Sequence, residues 1–305
     1  MATLPQRALG GSGIDVSIMS LGSWRTYERM SRDEGVAVMR AARQAGIDFL
    51  DDARYDDQTG TAPMRTGWSE VVFGELFRAA GWRRDHVLVS NKLWWEFWPE
   101  QTAAEELDGS LGRMGFDHLD LVYSELPEGV PFEEVVGAVT ALVVAGKARA
   151  WGVLNWPAKA IAAAARVCAD EGLPAPCVAQ LPYSLVYRSP VEDAATVEAL
   201  EASGVRIVSS ATLAWGALTG RGRTGRAAER PLTEAHAAAA ELRGLAAELE
   251  TTPVCLALAF ALANPLVATV LFGASSPEQV AENAGAVGLA SRLSADDVAR
   301  LRAIG

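Results

Sequence analysis

The chain has 305 residues, half of them hydrophobic, and a formal net charge of −11. That length suits one large α/β barrel or two ordinary domains with a sizeable core, and the composition excludes disorder. The acidic balance and the lack of a basic, aromatic-interleaved motif argue against nucleic acid and anionic membranes as partners.

Residues 1–10 are polar and lack the apolar centre of a signal peptide, and a short N-terminal hairpin is expected ahead of the barrel. Strand-like apolar runs follow at 18–22, 48–51, 87–91, 118–123, 149–153, 177–180, 206–209 and 267–272. Helical patterns at 31–45, 69–80, 100–114, 132–145, 158–171 and 193–203 lie between them. Such alternation predicts an α/β fold, a single (β/α)8 TIM barrel domain over residues 1–305. An open doubly wound sheet calls for a glycine-rich phosphate loop after an early strand, and Leu21-Gly22-Ser23-Trp24 is not one. The apolar stretch 253–273 is interrupted by Asn264-Pro265. A buried helix, a turn and a buried strand are expected there rather than a membrane span. Cys168, Cys177 and Cys255 show neither metal-ligand spacing nor a disulfide framework. No metal is expected, and a reducing, cytoplasmic setting is.

In such a barrel the chemistry collects at the C-terminal ends of the strands. Those ends carry Asp51, Tyr55, Lys92 and Glu125, together with several aromatics. A buried lysine or aspartate needs a partner. A lysine beside a tyrosine and an aspartate favours the phenolate and draws the tyrosine pKa toward neutrality. Of nine tryptophans, Trp24, Trp94, Trp95 and Trp98 cluster at these ends. Trp24, Trp94 and Trp95 are therefore candidates to line a flat apolar or aromatic substrate pocket, although the adjacent Trp94 and Trp95 cannot both point inward.

An ordered set of short motifs runs along nearly the whole chain. It includes Phe49-Leu50-Asp51-Asp52-Ala53-Arg54-Tyr55, Gly67-Trp68-Ser69-Glu70, Val89-Ser90-Asn91-Lys92, Gly146-Lys147-Ala148-Arg149-Ala150-Trp151-Gly152-Val153-Leu154-Asn155, Gln180-Leu181-Pro182-Tyr183 and Gly273-Ala274-Ser275-Ser276-Pro277-Glu278-Gln279. In this combination the sequence resembles the aldo-keto reductase family. The resemblance implies a nicotinamide-dependent oxidoreductase, with NADPH favoured over NADH. It implies Tyr55 as general acid, Lys92 holding its pKa down, and Asp51 pairing with Lys92. It further implies Asn155 and Gln180 at the nicotinamide carboxamide, and Leu213, Gly216 and Leu218 over the pyrophosphate. Gly273, Ser275, Gln279, Glu282 and Asn283 fall on the adenosine side. The residues alone offer a plainer reading of 276–283, a helix capped by Ser276 with Glu278 in its first turn.

The sequence departs from the family pattern at several points. Tyr55 follows Asp51 by four residues where the family uses five. Glu125 stands where the family places its catalytic histidine. The usual serine before Asn155 is Leu154, the aromatic that stacks on nicotinamide is Ser210, and the arginine for the 2′-phosphate is Ser276, with Arg221 as a candidate replacement. A carboxylate cannot donate a hydrogen bond to a carbonyl, whereas a protonated Glu125 can. The steroid double-bond reductases of the family share this glutamate, so the resemblance places reduction of an activated C=C (an enone) first. Simple C=O reduction comes second and C=N reduction of a cationic imine third. Two other classes compete: a barrel lyase using Lys92 as a Schiff-base amine, and a nicotinamide-binding module without turnover, like the potassium-channel beta subunits. A small-molecule substrate is expected in each enzymatic case, and oligomeric state stays open.

Overall fold

The computed structural model describes residues 3–219 and 233–304. An antiparallel hairpin, β1 (Gln6–Ala8) with β2 (Asp15–Ser17), precedes the barrel. The Arg7 guanidinium donates to the carbonyls of Leu262 and Val267, which pins the hairpin across the N-terminal mouth. Leu9, Ile14 and Val16 fill that mouth from below.

Eight parallel strands then close on themselves: β3 (Met19–Gly22), β4 (Phe49–Asp51), β5 (Leu88–Leu93), β6 (Leu119–Ser124), β7 (Ala148–Leu154), β8 (Val178–Pro182), β9 (Arg206–Ser210) and β10 (Val267–Phe272), which returns to pair with β3. The barrel expected from the eight alternations is thus the fold. Alternation along β6 shows why: Leu121 and Tyr123 point into the barrel core, while Val122 packs outward against the helices.

The helices between strands begin where the sequence supplies caps. Ser31 with Glu34 makes a capping box for α1 (Arg32–Gln44). α2 (Trp68–Ala79) precedes α3 (Ala103–Met114), which Thr102 and Glu105 box in the same way. A Cβ on Gly74 of α2 would collide with the Met114 carbonyl, so that glycine lets α2 close on the end of α3. Next come α4 (Phe132–Val144), α5 (Ala158–Glu171), the short α6 (Ser189–Glu192), α7 (Ala194–Ser203) and α8 (Thr233–Glu248). α9 (Pro253–Leu262), capped by Thr252, is buried from Val254 to Leu262. It resolves the apolar stretch as a core helix leading into β10. Among the described residues no single helix is long and apolar enough to cross a membrane. α10 (Pro277–Ala290), capped by Ser276, and α11 (Ala295–Ile304) complete the chain.

Candidate active site

β4 and β5 are hydrogen-bonded neighbours, and Asp51 pairs in register with Ser90. This places Lys92, two residues on, over the end of β4. Its ammonium donates to Asp51 Oδ2 at 2.6 Å, to the Asp52 carbonyl at 3.1 Å and to the Tyr55 hydroxyl at 3.3 Å. Both charged side chains are only 3% exposed. Asp51 also accepts from Ser90 Oγ at 2.7 Å and Gln180 Nε2 at 3.3 Å, so its lone pairs are used on three sides. The three N–H donors of Lys92 are thus all engaged within the floor. Tyr55 reaches Lys92 despite the shortened turn because its amide bonds to the Ala53 carbonyl at 2.9 Å and to Ser69 Oγ at 3.2 Å. Ser69 Oγ in turn holds the Ala53 carbonyl at 2.7 Å.

These groups form the floor of a cleft of about 680 Å³ at the C-terminal ends of the strands. Trp24, Trp94 and Trp215 are aromatic walls, with the Trp94 ring tilted 55° to Tyr55 at 6.2 Å between centroids. Asn155, at φ 57°, and Gln180 line it beside the floor. Leu213 and Gly216 line it further along, then Gly273, Ser275, Gln279, Glu282 and Asn283 at the start of α10. Ala211, Ala214, Trp215 and Gly216 all take positive φ, so the loop after β9 is tightly coiled where it borders the cleft. The amides of Ala214, Gly216 and Leu218 bond back to the carbonyls of Ala211 and Leu213, which holds the coil in place. Amide side chains near the floor, a coiled loop and a capped helix end together fit a nicotinamide dinucleotide. The volume lies within the ordinary range of cofactor and ligand sites.

A model of the aldo/keto reductase family matches residues 18–305. The chain is 31% identical over 320 residues to a probable voltage-gated potassium channel subunit beta of Oryza sativa subsp. japonica, spanning 97% of this chain and 95% of that protein. It is 31% identical over 319 residues to a putative voltage-gated potassium channel subunit beta of Schizosaccharomyces pombe, spanning 95% of this chain and 90% of the relative. The chain belongs to the aldo/keto reductase family. It is an NAD(P)H-dependent oxidoreductase.

Three expected site residues of this reductase lie elsewhere among the described residues. Glu125 follows β6 and is half-buried, its amide donating to the Leu93 carbonyl at 3.2 Å, but it does not line the cleft. Burial, and then the nearby Glu106 carboxylate, push its carboxyl pKa up. Trp95 is buried away from the cleft: a positive φ of 62° turns it back, and its indole N–H donates to Ser124 Oγ at 2.9 Å. Leu218 is wholly buried and its amide bonds to the Leu213 carbonyl, so neither side chain nor amide faces the cleft. Arg221 lies outside the described residues. Residues 56–66, just beyond Tyr55, form a loop closed by an Asp56–Thr66 bridge.

Sequence reasoning also passed over three groups. Trp215 was visible as a tryptophan before a glycine in a post-strand loop. Asp52 is fully buried behind the floor and hydrogen-bonds Ser23 Oγ. Burial, and then the Glu70 charge, raise its pKa well above the ordinary carboxylate range. Glu106, on α3, carried no local signal at all.

Proposed function

We propose that this protein reduces the carbonyl group of an apolar, ring-bearing small molecule with NADPH, using Tyr55 as proton donor. The observation that carries the reading is the Lys92 ammonium, held between Asp51 at 2.6 Å and the Tyr55 hydroxyl at 3.3 Å on the cleft floor. The nicotinamide, when bound, supplies the hydride. Tyr55 gives its proton to the substrate oxygen as negative charge develops there. Lys92 stabilises the phenolate left behind, and Asp51 balances Lys92 in the buried floor. Asn155 and Gln180 hold the carboxamide, Leu213 and Gly216 flank the pyrophosphate, and Gly273, Ser275, Gln279, Glu282 and Asn283 hold the adenosine. Trp24, Trp94 and Trp215 form the apolar walls against which a flat substrate packs. NADPH rests on the resemblance and on Arg221. Binding titrations with NADPH and NADH side by side decide between the two coenzymes.

Glu125 supports a second reading, reduction of an enone C=C bond. Its raised pKa favours the neutral acid, which can donate to the enone oxygen. That same shift counts against a carboxylate that attracts a cationic imine. Carbonyl reduction is placed ahead of C=C reduction, reversing the order drawn from the motif alone, because the Lys92–Tyr55 contact on the cleft floor serves proton delivery to a carbonyl oxygen directly. Stopped-flow oxidation of bound NADPH by matched aldehydes, ketones, enones and imines tests the proposal. Fast oxidation by aromatic ketones or aldehydes is expected. Oxidation by enones alone would transfer the proposal to Glu125, and no oxidation by any of them would leave a nicotinamide-binding module without turnover.

A further inference from the structure

Arg54 sits between Ala53 and Tyr55 in the shortened turn, and it is buried. Its guanidinium reaches Glu106 Oε1 at 3.3 Å, Glu96 Oε2 at 2.9 Å and Thr66 Oγ1 at 3.0 Å, and lies 5.2 Å from the centre of the Phe97 ring. Glu106 is buried too. Its two oxygens accept the backbone amides of Trp94, at 3.0 Å, and Trp95, at 3.1 Å. These are the first two residues beyond β5, past its last strand residue, Leu93. One carboxylate therefore ties three things together: the loop that carries Tyr55, the loop that carries Trp94, and helix α3.

The backbone shows why that turn needs a holder. Trp95 adopts a left-handed φ of 62°, which a bulky residue keeps only when its surroundings impose it. The Glu106 carboxylate binds both amides of the turn, and charge-assisted bonds of this kind are the strong ones. With Trp95 turned back into the core, Trp94 is left facing Tyr55 across 6.2 Å. A different Trp94–Trp95 turn would move that wall.

We propose that Glu106 and Arg54 are positioning residues that lock Trp94 against Tyr55 and so set the slot through which a flat, ring-bearing carbonyl compound reaches the Tyr55 hydroxyl. This rests on the carbonyl-reductase reading above for its substrate, but not for the clamp itself. Neither residue lines the cleft. They act through the placement of Tyr55 and Trp94.

The test compares wild type with Glu106→Ala, Glu106→Gln and Arg54→Met. The first readout needs no turnover: acrylamide quenching of the Trp94 fluorescence, isolated by subtracting the signal of Trp94→Phe. The second is the ratio of kcat/KM for an aromatic ketone to that for a small aliphatic aldehyde. Quenching is expected to rise in Glu106→Ala and Arg54→Met, and the ratio to fall on the order of tenfold as the near-attack geometry loosens. Glu106→Gln, which keeps an acceptor for one amide, should fall between. Unchanged quenching in both Glu106→Ala and Arg54→Met overturns the proposal, as does an equal loss for both substrates. Should Glu106→Ala fail to fold, Glu106→Gln and Arg54→Met carry the same comparison. If wild type turns over no carbonyl at all, the carbonyl reading falls, and the quenching result alone decides the clamp.

Discussion

In Lys92→Met the aliphatic stem stays and the ammonium goes. The floor then loses three hydrogen bonds at once: to Asp51 Oδ2, to the Asp52 carbonyl and to the Tyr55 hydroxyl. Asp51 keeps Ser90 Oγ and Gln180 Nε2, but it has lost its counter-charge in a site only 3% exposed. Removing one partner of a buried pair costs about 3–5 kcal/mol, because the other charge is left uncompensated. Turnover suffers for a different reason. Without the cation the Tyr55 phenolate is no longer stabilised, and the general-acid contribution, roughly 10²-fold or more, is lost. The double variant Asp51→Asn with Lys92→Met separates the two effects. It removes both charges, so most of the stability should return while turnover does not. Urea unfolding reads the first quantity, through the midpoint at unchanged slope. Single-turnover oxidation of bound NADPH reads the second. Wild-type stability in Lys92→Met would refute the buried-pair argument, and recovered turnover in the double variant would refute the catalytic role of Lys92.

Tyr55→Phe should bind cofactor as wild type does yet lose about 10²-fold or more in turnover; near-normal turnover, followed by stopped flow, would point to another proton donor. Glu125→His should leave carbonyl reduction close to wild type if Glu125 stays outside the cleft, and should move activity from C=C toward C=O if it enters; a matched enone and ketone report which. Asp52→Asn addresses stability. The folded state holds the Asp52 proton more tightly than the unfolded chain does, so the wild-type carboxyl costs stability increasingly as pH rises above its unfolded value of about 3.9. The variant's advantage over wild type should therefore grow from about pH 4 toward neutrality, and thermal unfolding curves showing a constant difference across that range would contradict the assignment.

How much of this site was legible in the sequence depends on what each residue has to satisfy. Asp51 and Lys92 were legible through the family resemblance, and the parallel pairing of β4 with β5 brings this buried anion and cation together at the strand ends. Tyr55 was legible despite its displaced spacing, since the turn compensates through Ser69 rather than by moving the hydroxyl away from Lys92. Side-chain direction was harder. A motif locates Glu125 along β6, but the residue lies one position past the strand, where a hydrogen bond to Leu93 governs its backbone and alternation no longer does. The same limit explains Trp94 and Trp95. Adjacency shows that one of them must turn away, and only the positive φ of Trp95 shows which. Glu106 illustrates the remaining gap. On α3 it reads as an ordinary first-turn acid, stabilising the helix N-terminus. Its partners are two amides from another loop and an arginine 52 residues away. No period or cap in a single chain announces such a contact, yet the catalytic tyrosine and its aromatic wall both hang from it.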